Sequence, residues 1–74
     1  MLLRMKADNL LRILRRRANR LGLRHEEIEG KGSHLKLRHG DRATVVPMHR
    51  GDIASGTYRA ILKQLGLTEQ DLED

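Results

Sequence analysis

Apolar positions change period three times along the chain, and each change predicts an element. Leu10, Leu11, Ile13, Leu14, Ala18 and Leu21 recur every three or four residues, the spacing of one helix face. Asp8 is placed to cap that helix and Gly22 to end it. Leu23–Glu29 has only Leu23 and Ile28 as strong apolar residues and reads as an edge strand. Gly30-Lys31-Gly32 marks a turn. His34–His39 then alternates, with Leu35 and Leu37 on one side and His34, Lys36 and Arg38 on the other. Gly40-Asp41 separates this strand from Arg42–Pro47, so the two predict a hairpin. Of Val45 and Val46, the one that shares a face with Leu35 and Leu37 belongs to the core, and the pattern leaves that choice open. After a loop through Pro47, His49, Gly51 and Asp52, Ser55 can cap a helix whose Tyr58, Ile61, Leu62 and Leu65 share a stripe that Gly66 ends. Thr68 can cap a last short acidic turn containing Leu72.

The order is α-β-β-β-α with a short helical tail. Two amphipathic helices and a sheet with one apolar face predict a two-layer α+β sandwich, the helices together on one side and the other sheet face polar and basic. At 74 residues the chain has room for one core, so 1–74 is expected to be a single domain. It contains no cysteine, which excludes disulfides and thiolate zinc sites. Apolar runs such as Met1–Leu3 are too short for a membrane span or a signal-peptide core, which predicts a cytoplasmic protein. Met1–Arg4 has no evident structural role, and Met5 is as good a start as Met1.

Charge narrows the partner. Fifteen Lys and Arg against ten Asp and Glu give +5, distributed unevenly. Residues 1–24 carry eight basic groups and one acid, and 25–30 carry three glutamates. Residues 31–63 carry seven basic groups and two acids, and 64–74 carry four acids. This balance favours an anionic partner. Tyr58 is the only aromatic, so domains that stack bases on aromatic faces are excluded. A nucleic acid would have to be met through backbone charge and shape.

Lys31-Gly32-Ser33-His34 is the stretch with most chemistry. Glycine lets the backbone approach a phosphate, serine adds a donor and Lys31 adds charge. His34 projects to the polar face beside Lys36, where a neutral imidazole can take a proton near neutral pH. On RNA that proton belongs to the ribose 2′-OH, whose removal creates a nucleophile beside the scissile phosphate without metal or cofactor. Against this stands the commoner outcome for so short a string, a solvated histidine in a turn. His25 reads as surface, His39 as the rim of the core, and His49 as a loop residue able to reach a substrate. The four histidines lack metal-ligand spacing, and no serine triad appears. Arg15-Arg16-Arg17 reads first as a solvated helix face, then as a phosphate contact, and last as a membrane-surface contact.

Together these stretches resemble the HicA family of toxin–antitoxin mRNA interferases. The matching pieces are Met5-Lys6 followed by Leu10, Leu11 and Leu14; Lys31-Gly32-Ser33-His34; Thr44–His49; and Gly56–Leu67, over about residues 5–67. Leu35 stands where the family often has a second histidine, and Glu26-Glu27-Ile28-Glu29 replaces a more apolar first strand. The resemblance implies a double-stranded-RNA-binding-like fold and RNA cleavage with His34 as the catalytic histidine. It also implies a HicB-type antitoxin that covers this histidine. With the resemblance, the expected RNA contacts are Lys31, Gly32, Ser33, Lys36, Arg38 and His49, with no metal, cofactor or membrane. A non-catalytic RNA binder and a pure antitoxin-docking protein are the other readings.

Overall fold

The computed structural model describes residues 5–49 and 51–73; Met1–Arg4, Arg50 and Asp74 lie outside them. The elements are α1 (Ala7–Leu21), β1 (His25–Glu29), β2 (His34–His39), β3 (Arg42–Pro47), α2 (Ser55–Leu65) and α3 (Glu69–Leu72). The strands form one antiparallel sheet in the order β1-β2-β3. This is the α+β sandwich expected, in a double-stranded-RNA-binding-like layout.

Helix α1 buries Leu10, Leu11, Leu14 and Ala18, and α2 buries Tyr58, Ile61, Leu62 and Leu65. Both stripes join Leu35, Leu37 and Val46 in one core. Val46 pairs with Leu35 across the hairpin, which settles which valine points inward; Val45 faces out beside Lys36. The two-residue connection Gly40-Asp41 sets that register, with Gly40 at φ +66°, a conformation open to glycine at little cost.

The helix starts differ from expectation. α1 begins one residue before Asp8, with Lys6 as its N-cap, because the Leu10 amide bonds the Lys6 carbonyl at 3.0 Å. The Lys6–Asp52 bridge and the Ile53 amide on the Met5 carbonyl (2.7 Å) hold that start, and Met5 is buried. Asp8 falls in the first turn, where its charge complements the helix dipole. Ala54 precedes α2, and Ser55 is its first helical residue with no capping bond. Thr68 does cap α3, in a reciprocal box with Asp71, and this turn brings Leu72 into the core. No helix among the described residues is long and apolar enough to cross a membrane.

Candidate functional site

Neither helix covers the outer sheet face. Alternation along β2 sends His34, Lys36 and Arg38 there, all exposed, spaced about 7 Å apart at two residues of strand rise. The turn before β2 carries Lys31, Gly32 and Ser33, also exposed, and Gly32 sits at φ +65°. The backbone at the head of β2 is held on both sides. The Gly30 amide donates to the His34 carbonyl at 2.9 Å, and the Met48 amide donates to the Ser33 carbonyl. A Cβ on Gly30 would lie 3.0 Å from that His34 oxygen, so a side chain there would require the carbonyl to give by a few tenths of an ångström. His34 therefore stands on a fixed backbone with its ring in solvent.

The cations of this face are unequal. Arg38 Nε lies 3.7 Å from Glu26 Oε1, which Arg24 also approaches at 3.2 Å. No described carboxylate pairs with Lys31 or Lys36. The face therefore holds least compensated charge around His34 and Lys36. His49 is exposed two residues beyond Pro47, the register partner of His34. It lines a hollow at the start of α1 with Lys6, Asp8 and Gly51. The outer face also has an apolar component, Ile28 at 55% and Val45 at 47% exposure. Ile28, one of the two strong apolar residues by which the sequence marked this strand, thus points to solvent.

Beneath α1 lies a second polar cluster. Register puts His25, Glu27 and Glu29 on the same face as His39, Leu37 and Leu35. Arg15 grips Glu27 with two bonds of 2.7 Å, and His25 Nε2 lies 2.7 Å from the same carboxylate. His25 Nδ1 is 3.1 Å from His39 Nδ1, and His39 Nε2 is 3.0 Å from an Arg17 nitrogen. Arg17 can only donate, so His39 Nε2 accepts; its Nδ1–H then donates to His25 Nδ1, and His25 Nε2–H donates to Glu27. With both rings neutral every group in this chain is satisfied. Burial, with His25 and Arg17 nearby, pushes the His39 pKa down to about 4. The Arg15 hydrogen bonds hold Glu27 below the usual carboxylate range.

His25 is accordingly not a surface residue, as the sequence suggested, but half-buried in this network. Arg15 and Arg17 are drawn into it as well, which leaves Arg16 to the solvated-face reading. Its sequence signal is weak: two histidines fourteen residues apart, recognisable only once strand register is known. The described residues hold no group of three His, Cys, Asp or Glu able to bind a metal.

A comparison with curated proteins finds no significant match. Comparison with protein families gives a match over residues 11–67 to the family described as the HicA toxin of bacterial toxin–antitoxin systems. That span covers α1 from its second turn through α2, and includes the turn at His34 and the whole sheet. The chain belongs to the HicA toxin family.

Proposed function

We propose that this toxin is an endoribonuclease that needs no metal in its mechanism, with His34 as general base. The imidazole takes the proton of a ribose 2′-OH, and the freed oxygen attacks the adjacent phosphorus. The bond from phosphorus to the 5′-oxygen breaks, leaving a 2′,3′-cyclic phosphate and a 5′-hydroxyl that takes a proton from water or from His49. Lys31 and Lys36 hold the phosphate and offset the charge gathering on it, while the Gly32–Ser33 backbone and hydroxyl orient it. Arg38 extends the contact along the strand, and an RNA strand, mRNA above all, is the substrate. A HicB-type antitoxin neutralises the toxin in the cytoplasm by covering His34.

The observation that carries this reading is the exposure of His34 beside Lys36 on a sheet face that neither helix covers. The test is incubation of the purified chain with RNA in the presence of a chelator, beside His34→Ala. Cyclic-phosphate products from the parent and none from the variant support the reading. An alanine variant that cleaves as well as the parent sinks it, and RNA held without cleavage by both would make the protein a binding module.

A further inference from the structure

The two edges of the sheet are finished differently. At β1 the Gly30 amide bonded to the His34 carbonyl marks a hydrogen-bonded pair. Antiparallel alternation therefore turns the backbone of His25, Glu27 and Glu29 toward the free edge. Glutamates crowd that edge, one of the ways natural sheets repel a further strand. At β3 the Met48–Ser33 bond fixes the opposite phase: Arg42, Thr44 and Val46 face β2, while Ala43 and Val45 turn their amides and carbonyls outward. No backbone hydrogen bond among the described residues reaches those outward groups. Between Arg42 and Pro47 the edge carries no charge. It opens into a groove of about 860 Å³ whose far wall is α2, kept low by exposed Gly56, Thr57 and Ala60.

We infer that the β3 edge is a docking strand that pairs, backbone to backbone, with an extended acid-bearing segment of a partner protein. Unpaired amides and carbonyls beside apolar Ala43 and Val45 suit a polypeptide strand, with hydrogen bonds giving affinity and alternate side chains giving selectivity. The acid follows from charge. Lys36 lies on the outer face one strand in, directly beside Val45, and no described carboxylate answers it. An added strand would lie two strand spacings, about 9.6 Å, from β2, a gap that a carboxylate and the long Lys36 side chain span together over Val45. A second copy could offer only its own glutamate-bearing β1 edge and would bring a further +5 with it, so a partner of opposite net charge is the better occupant. This inference rests on the protein-partner part of the proposed function and not on cleavage by His34, so loss or retention of cleavage in His34→Ala leaves it standing.

The experiment compares amide hydrogen exchange in the full chain, alone and in complex with the HicB-type antitoxin of its own pair. The Ala43 and Val45 amides are expected to slow by roughly 100-fold in the complex, as buried strand amides do. Ala60→Glu fills the groove and repels an acid; it is expected to weaken the complex at least about tenfold while cleavage is unchanged. Ala60→Gln, similar in size without the charge, is expected to cost less. A complex that leaves both amides exchanging freely overturns the inference and spares the antitoxin reading; no complex at all overturns both. Equal losses from the Glu and Gln variants overturn the acidic character of the segment. Slowing that depends on the concentration of the free chain, or on added RNA, assigns the edge to another occupant and overturns it too.

Discussion

His34 and His39 stand at the two ends of one six-residue strand, and parity puts them on opposite faces of the sheet. His34 is in solvent on a braced backbone, beside uncompensated lysines. His39 is 3% exposed, flanked by His25 and Arg17, and its pKa is pushed down to about 4. The same side chain is thus open to solvent at one end and spent on packing at the other. Burial and fixed partners remove His39 from acid–base work near neutral pH.

The sharpest break in this comparison comes from replacing each histidine in turn. His34→Ala is expected to lower the rate of RNA cleavage by about 10²–10⁴-fold, the usual worth of a general base, while thermal unfolding stays where it was. A His34→Ala protein that unfolds at a markedly lower temperature would show His34 to be structural as well.

Acid should act on the other end of the strand. In the unfolded chain His39 takes a proton near its ordinary value of 6.5, but in the folded protein only near 4. The unfolded state binds more protons between those values, so stability is fully present above about pH 6.5 and declines as pH falls toward 4. The loss from His39 alone is on the order of 3 kcal/mol. Glu27, with its pKa lowered by Arg15, adds a loss of the same sign at lower pH. Urea unfolding of the parent and His39→Asn from pH 7 to 4 measures this; equal slopes with pH would remove His39 as the cause.

A smaller effect separates the cations of the outer face. Lys36→Gln should reduce the slope of log affinity for RNA against log salt by about one, the signature of one lost phosphate contact. Arg38→Gln should change it less, because Glu26 already answers part of that charge. Equal slope changes would mean that Glu26 swings away when RNA binds. The smallest effect concerns a residue of the core. The Tyr58 hydroxyl is buried with no hydrogen-bond partner among the described residues, so Tyr58→Phe should leave stability unchanged or raise it by up to about 1 kcal/mol in chemical unfolding. A clear loss would mean that the hydroxyl is hydrogen-bonded in solution.

What could be read in advance followed the strength of the local pattern. In β2, alternation of Leu35 and Leu37 with charged neighbours is unambiguous, and it placed His34, Lys36 and Arg38 on one face. β1 is harder because its inward positions, His25, Glu27 and Glu29, are polar while Ile28 points out. Arg15, ten residues before this strand, makes an inward Glu27 tolerable, and no window along the chain contains that pairing with its register. Asp8 and Ser55 misled for a related reason: tertiary bonds at Met5 and Lys6 move the start of α1, and Ala54 opens α2 with no side-chain cap. The vacant β3 edge was hidden altogether, since the outward phase of Ala43 and Val45 depends on which pairs in the ladder share hydrogen bonds.

The Gly40-Asp41 turn has an evolutionary consequence. Because it fixes which residue of β2 meets which residue of β3, a single insertion or deletion within that hairpin would exchange inside for outside. With β2 held by β1 as well, Thr44 and Val46 would then be carried to the outer face and Val45 into the core. Across the hairpin itself, length should be inherited unchanged.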